Sequence, residues 1–489
     1  MVHLKDILYK VKLLSVVGST DVDINAIQFD SRKVKNNDVF VAVSGTLVDG
    51  HDFIETAIQS GAVAIICEKL PTERQSGVTY VLTDNSAKAL GILANNYFDS
   101  PSSKMKLIAV TGTNGKTTTV TLLFKLFRSL GYHVGLLSTV QNQINDNIIE
   151  ATHTTPDALQ LNALLKQMHT AGCAYVFMEA SSHAIDQDRM AGLAISGAIF
   201  TNISHDHLDY HETFDAYIKA KKKLFDGLSS DAFALSNADD KRGTVMLQNC
   251  KADKNFYSLK SMAQYKAKVL TNSLQGLELT IDAQDVWFKL IGYFNAYNLL
   301  AVYACAHLLE EDKIEILTAL SNIALENGRF EQVPNNADIT AIVDYAHTPD
   351  ALENVLKTVE AIRTGNEQVV TVVGCGGNRD TTKRPLMAEI ACKLSDRVIL
   401  TSDNPRNEEP EQIIKDMEAG VSAAQVRKVT KLTDRKEAIK LACNFSNKGD
   451  IILVAGKGHE TYQEIAGVKH HFDDKEILNE MLNLTHNRS

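Results

Sequence analysis

The string Gly112-Thr113-Asn114-Gly115-Lys116-Thr117-Thr118 follows the apolar run 107–110 and opens a segment of helical spacing. That is how a phosphate-binding loop is built. Glycines let backbone N–H groups close on phosphate oxygens, the helix N-terminus adds a favourable dipole, and Lys116 supplies a point charge. Thr117 offers a hydroxyl to Mg²⁺, so the ligand implied is a nucleoside triphosphate. Val110 stands where the longer form of this loop carries its first glycine, which makes the loop a shortened variant.

Ligands of open α/β sheets bind beyond the carboxyl ends of the strands, so the residues after each apolar run are the next to read. Run 175–178 is followed by Glu179-Ala180-Ser181-Ser182-His183, and Glu179 is placed to hold magnesium directly or through water. After 199–200 comes a segment with His205, Asp206, His207, Asp209 and His211, which reads as a metal or phosphate site or else as a solvated loop. The helical stretch 214–228 puts Lys221 on the same stripe as Phe214 and Tyr217. A lysine there either snorkels to the rim or is discharged by a partner or covalent modification. Farther on, Gly374-Cys375-Gly376-Gly377-Asn378-Arg379-Asp380 precedes Lys383 and Arg384, and glycines with three cations imply an anion seat. Two more strand-end strings, Asp403-Asn404-Pro405-Arg406 and Gly456-Lys457-Gly458-His459-Glu460, suit an amino acid: a guanidinium grips a carboxylate and Glu460 receives an ammonium. Charged loops that merely cap helices are the alternative for each.

The elements that must position these residues fall into three sets, all α/β. Short β-rich runs and a helical stretch near 53–60 make a small domain at 1–103, ending in the turn-rich segment 99–104, a linker candidate. Apolar runs alternating with helical patterns give a central domain at 104–328 with a mostly parallel sheet, of the P-loop ATPase-like kind. Runs 339–343, 369–373, 398–400 and 451–454 give a doubly wound, Rossmann-like C-terminal domain at 329–489. A chain of 489 residues, 44% hydrophobic, has material for several packed cores. Its formal net charge of −10 argues against non-specific nucleic-acid binding. Seven scattered cysteines with no C-x-x-C pair argue against a disulfide framework or a zinc site and fit a reducing cytoplasm. No signal peptide or membrane-length apolar run is visible, so no membrane partner is expected.

Together these strings, with Asp30-Ser31-Arg32, Asp49-Gly50-His51, His153-Thr154-Thr155-Pro156-Asp157 and Asp344-Tyr345-Ala346-His347-Thr348-Pro349, resemble the Mur ligase family over nearly the whole chain. The resemblance implies an N-terminal domain for the UDP end of the substrate, a central domain for ATP and a third for the incoming amino acid. The implied activity is ATP-dependent, ADP-forming addition of meso-diaminopimelate to UDP-N-acetylmuramoyl-L-alanyl-D-glutamate through an acyl phosphate. It belongs to cytoplasmic peptidoglycan precursor synthesis, and through that to cell-wall biogenesis, cell shape and division. A monomer with only small-molecule partners is expected.

By position the resemblance assigns Ser31, His51, Thr154, Thr155, Ser181, Gln187, Arg189 and Lys221 to the UDP-muramoyl dipeptide. It assigns residues 112–118 with Asn295, Asn298, Arg329, Asp344 and His347 to ATP. Lys116, Glu179, His207 and Lys221 are the implied catalytic group, with Thr117, Glu179, His207 and a carbamylated Lys221 (N6-carboxylysine) as magnesium ligands. Arg379, Asp403, Asn404, Pro405, Arg406, Gly456 and Glu460 are the implied diaminopimelate pocket. His205, Asn378 and the pair Thr381-Thr382 depart from the family's common arginine, aspartate and lysine-glycine. Alternatives are the same ligation with L-lysine, another ligase of the superfamily, or a nucleotide-binding switch or scaffold without amide chemistry.

Overall fold

The chain is described by a computed structural model that covers residues 2–45, 48–151, 153–324, 328–363 and 365–486. Three sheets follow one another along it. The first has five strands, ordered Leu13–Val17, Thr79–Thr83, Ala62–Cys67, Asp38–Val41, Ile27–Gln28, parallel except for the outer Leu13–Val17. Strand Ala62–Cys67 reads as an unbroken apolar run because both its faces are covered, and Ala64, Ile65 and Ile66 have no exposed surface.

Segment 99–104 is not a free linker. Asn95 donates from Nδ2 to Ser100 Oγ at 3.0 Å, residues Pro101–Lys104 form a short 3₁₀ turn, and the buried Ser102 hydroxyl accepts Ala194 N–H at 3.0 Å. The turn formers serve a packed corner, whose partner lies far away in sequence.

The central sheet has eleven strands. Seven run parallel, in the order Val134–Leu137, Tyr175–Glu179, Lys106–Thr111, Gly197–Phe200, Phe233–Asn237, Asp253–Ser258, Tyr265–Ser273. Antiparallel pairs cap both ends, Gln141–Ile144 with Asn147–Glu150 and Gly276–Ile281 with Gln284–Phe288. Side chains alternate across the sheet with period two. Ile108, Val110 and Phe177 face helices Lys116–Ser129 and Tyr293–Leu308, while Leu107, Ala109 and Met178 face Ala158–Thr170 and Phe214–Asp226. Full burial of each such large apolar side chain stabilises by about 1.5–3 kcal/mol, so a polar residue at Phe177 would break the layer.

The third sheet is ordered Glu331–Val333, Thr340–Asp344, Ile451–Ala455, Val369–Val373, Arg397–Leu400, Val429–Lys431, with only the first strand antiparallel. Helices Pro349–Ile362 and Lys383–Leu394 cover one face and Arg435–Phe445 and Asp474–His486 the other, which is the doubly wound arrangement. A hairpin, Tyr462–Ile465 with Val468–His471, follows the strand Ile451–Ala455. The carboxyl ends of the parallel strands of the second and third sheets converge on one cleft.

Candidate active site

The phosphate loop is held from behind by the end of strand Gly197–Phe200. Thr113 N donates to Asn202 O at 2.8 Å, Asn114 N to Asn202 Oδ1 at 2.9 Å, and Thr201 Oγ1 to Asn114 O at 2.6 Å. Only glycine fits at two points. A Cβ on Gly112 would lie 1.9 Å from Thr201 Oγ1, and Gly115 has φ of 86° with Asn298 Oδ1 2.5 Å from its Cβ position.

Lys116 and Lys221 meet at this loop. Lys116 Nζ donates to Gly112 O and Thr113 O, both at 2.9 Å, and Lys221 Nζ donates to the same Gly112 O at 2.8 Å. Lys221, 1% exposed, does not snorkel; its ammonium lies 4.6 Å from the centre of the Tyr217 ring. Burial pushes the Lys116 ammonium below the usual lysine range, although Glu179 and Asp206 oppose it. Burial pushes Lys221 well below, and Lys116 adds to the effect. Two lysine side chains therefore rest on carbonyl oxygens rather than carboxylates.

Glu179 is 1% exposed and accepts Thr139 N–H at 2.8 Å and the Thr139 hydroxyl at 3.1 Å. His207, in a left-handed backbone at φ 55°, has Nε2 3.3 Å from Asp206 Oδ2. Burial pushes its imidazole down to about 3. Burial alone would raise Asp206, but His207, Lys383, His347 and Lys116 hold its carboxyl down to about 2. Among the described residues no group of three or more His, Cys, Asp and Glu is arranged to hold a metal ion. The hard oxygens of Thr117, Glu179 and Asp206 nevertheless line the cleft, and a magnesium ion, which keeps waters and phosphate oxygens as ligands, fits such a sparse set.

Asn114 and Gly115 also border a second cleft of about 840 Å³ with Asn298, Arg329 and Asp344. Helix Pro349–Ile362 supplies Asp350, Asn354 and Val355 to it. Asn295 does not line it: its Nδ2 donates to Ile291 O at 2.8 Å and its Oδ1 accepts Asn298 Nδ2 at 3.0 Å, so it orients Asn298. Arg329 stacks over Tyr345 at 4.5 Å. Burial pushes the Asp344 carboxyl up to about 6, against Arg329 and the N–H groups of Phe330 and Ala346. Among the bonds that cross between the second and third sheets are Asn114 Nδ2 to Asp350 Oδ2 at 2.7 Å and His205 Nε2 with Asp380 Oδ2 at 3.1 Å.

Four of the expected dipeptide residues form one patch. Thr155 Oγ1 donates to Glu179 O at 2.8 Å and lies 3.4 Å from Ser181 Oγ, while Arg189 bonds Thr155 O at 2.8 Å and Gln187 Oε1 at 2.7 Å. Thr154 and Ser181 reach the cleft lining. Ser31 and His51 do not. His51 is taken up locally, Nδ1 by Asp49 at 2.6 Å and Nε2 by Glu68 N–H at 2.9 Å.

On the third sheet, Arg379, Asp403, Asn404, Arg406, Gly456 and Glu460 line the main cleft, and Pro405 does not. The anion seat has lost one expected cation. Arg384, 1% exposed, is bound by Glu408 and Asp416, both at 2.8 Å, which leaves Arg379 and Lys383 facing the cleft. Arg406 Nη1 donates to Gly377 O at 2.7 Å and its Nε lies 3.5 Å from Glu464. Glu460, expected to wait for a ligand's ammonium, already has Lys457 Nζ at 3.2 Å. Thr139 and Asp350 belong to the site and were not singled out in the sequence; Thr139 meets Glu179 and Asp350 meets Asn114 from distant stretches of chain, whereas Asp206 and Lys457 fall inside strings already read as site segments.

A phosphate-binding loop and a pocket of matched carboxylate and guanidinium groups thus share one cleft of about 220 Å³, which is the layout of a P-loop α/β protein whose phosphate site faces a second, charge-matched site. Comparison with known proteins narrows this. The Mur ligase middle domain matches residues 110–306, the Mur ligase, glutamate ligase domain matches 328–458, and the Mur ligase family, catalytic domain matches 23–98. The UDP-N-acetylmuramoyl-L-alanyl-D-glutamate–2,6-diaminopimelate ligase of Cytophaga hutchinsonii is 60% identical over 98% of this chain and 99% of its own. The enzyme of the same name from Parabacteroides distasonis is 52% identical over 98% and 99%. A solved structure of a ligase of that name superposes with a TM-score of 0.70 at 33% identity, covering 99% of both chains. The chain belongs to the Mur ligase family.

Proposed function

We propose that this chain is an ATP-dependent, ADP-forming amide ligase that joins meso-diaminopimelate to the D-glutamate γ-carboxylate of UDP-N-acetylmuramoyl-L-alanyl-D-glutamate. The carrying observation is that Lys116 and the Asn404, Arg406 and Glu460 pocket line the same cleft. A carboxylate and an amine do not condense unaided in water. The γ-carboxylate attacks the γ-phosphate of ATP to give an acyl phosphate and ADP; the amine then attacks the acyl carbon and phosphate leaves. Lys116 exchanges its loop carbonyls for phosphate oxygens and neutralises the charge gathered there, and the bridges from Asn114 and His205 help exclude water. Magnesium, when bound, supplies further charge neutralisation near Thr117 and Glu179. Lys221 joins its ligands only as a carbamate; a neutral amine is the form that reacts with CO₂, and burial favours that form.

His205 is engaged by Asp380 and Thr382. His347 hands its Nδ1 hydrogen to Tyr345 O at 2.8 Å, so Nε2 keeps a lone pair, and burial holds the ring down to about 4. His347 is the base we assign to the incoming amine. L-lysine as the amine is the second reading, supported by Glu464, which partly balances Arg406 without any ligand carboxylate. Against a nucleotide switch, the expectation is that no Asn-Lys-x-Asp string of the guanine-reading kind follows the phosphate loop; one does, Asn447-Lys448-Gly449-Asp450, but Asn447 N–H bonds Asp450 Oδ2 at 2.7 Å in a turn at the amino end of strand Ile451–Ala455, the end opposite to the one that borders the cleft.

The test is phosphate release from ATP and Mg²⁺ with UDP-N-acetylmuramoyl-L-alanyl-D-glutamate and either meso-diaminopimelate or L-lysine. Release that depends on diaminopimelate is expected. Equal use of lysine would overturn the specificity, and release that ignores both amines would overturn the ligase reading.

A further inference from the structure

Lys457 is a fully buried cation bordering the amino-acid pocket, with a side chain that is 0% exposed. It does not line the cleft, and nothing above gives it a task. Its ammonium has three donors and all are used: Asn404 Oδ1 at 3.2 Å, Glu460 Oε2 at 3.2 Å and Tyr462 O. The consequence falls first on Asn404. Its Oδ1 takes Lys457 and Glu464 N–H, the latter at 2.9 Å, so its Nδ2 is directed at Glu460 Oε2, 2.7 Å away. A flipped amide would set an NH₂ group against an ammonium. Glu460 is thereby fixed through Oε2 by two donors, while among the described residues Oε1 has only the Tyr345 hydroxyl, at 3.4 Å.

We propose that Lys457 is a positioning residue of the amino-acid pocket: its ammonium locks the Asn404 amide and holds the Glu460 carboxylate in place for the ammonium of the incoming substrate. This rests on the ligase reading above. The groups around Glu460 explain why a cation is needed. Asp403 faces it from the loop after Arg397–Leu400, Tyr345 from the loop after Thr340–Asp344, Tyr462 from the hairpin, and Arg435 from helix Arg435–Phe445. Burial and Asp403 raise the Glu460 carboxyl, and Lys457 with Asn404 opposes them. Arg435 is largely occupied: it pairs with Asp474 through two bonds of 2.8 and 2.7 Å and donates to Ala455 O at 3.0 Å. Lys457 is left as the cation in direct contact with Glu460.

The experiment is steady-state phosphate release with ATP and the nucleotide-sugar dipeptide saturating and meso-diaminopimelate varied, between about pH 6 and 9. Wild type is compared with Lys457→Met, Lys457→Gln and Lys457→Arg. Loss of the charge is expected to raise KM for diaminopimelate about tenfold or more in Met and Gln, with kcat and the KM for ATP within about twofold. The acid limb of 1/KM should move toward neutral by about one pH unit in both, and Lys457→Arg should return it. Should Lys457→Met fail to fold, Lys457→Gln, which keeps a donor for Asn404 Oδ1 without charge, carries the same expectation. An unchanged KM for diaminopimelate, an unmoved acid limb, or an equal loss in the KM for ATP would overturn the proposal. Those results count against Lys457 alone if wild type turns over ATP only when the amine is present; a wild type without amine-dependent turnover removes the ligase reading itself, and this assignment with it.

Discussion

The two walls of the cleft hold their charges in opposite ways. At the phosphate loop, Lys116 and Lys221 rest on the Gly112 carbonyl, and neither has a carboxylate within ion-pair distance among the described residues. Around the amino-acid pocket the charges are matched in advance: Lys457 with Glu460, Arg406 near Glu464, Arg435 with Asp474. An unmatched buried cation is a standing cost that a polyanion relieves, so it supplies binding and charge neutralisation. A matched network costs less when empty, and it discriminates through geometry because any ligand must fit donors and acceptors already fixed.

The sharpest way to break this contrast is Lys116→Met. ATP turnover is expected to fall at least about a thousandfold, while thermal unfolding stays level or shifts upward because an uncompensated buried charge is gone. Marked destabilisation would show that Lys116 is structurally matched after all. Arg406→Ala comes next. kcat/KM for diaminopimelate should drop about a hundredfold in the phosphate-release assay, with L-lysine much less affected; equal losses would place Arg406 in general packing.

The pH dependence of stability is a smaller effect. His347 is held near 4, below its unfolded value, so the unfolded chain binds the extra proton and stability falls as pH drops from about 6.5 toward 4. His207 and His459, both down to about 3, act in the same direction. Asp344 opposes them: raised to about 6, it contributes stability that is complete below its unfolded value and lost as pH rises through 6. His347→Gln should recover roughly 2–3 kcal/mol at about pH 4.5 in urea unfolding, and no recovery would mean the ring is charged in the fold. The smallest expected change is Asp312→Ala, far from the cleft. Asp312 Oδ1 accepts the N–H groups of Ile314 and Glu315 at 2.9 and 3.1 Å, so about 1 kcal/mol of stability should go with no change in turnover.

What could be read from the sequence was what is local. The phosphate loop is written in seven consecutive residues, and the place of Lys221 on the apolar stripe follows from its position four residues after Tyr217 on a helix, although the sequence left open whether its ammonium snorkels to the rim. Strand ends were equally legible, because a parallel strand covered on both faces is an apolar run that stops where the ligand side begins. Partnership across long separations was not legible. Lys457 meets Asn404 across 53 residues and Arg384 meets Asp416 across 32, so the three apparent cations of the anion seat could not be told from two. Turn formers at 99–104 look the same whether they make a linker or a corner, and only the distant Ala194 N–H decides. Ser31 and His51, which the resemblance places near the uridine in the first domain, lie apart from the main cleft, and its geometry does not bear on them.

The bond from Asn114 to Asp350 ties the tip of the phosphate loop to the first turn of helix Pro349–Ile362. Mechanically, the loop is both a grip and a tether. If the central and third lobes separate, the same movement that opens a way out for products pulls on the residues that hold phosphate. Release and loosening would then form one stroke.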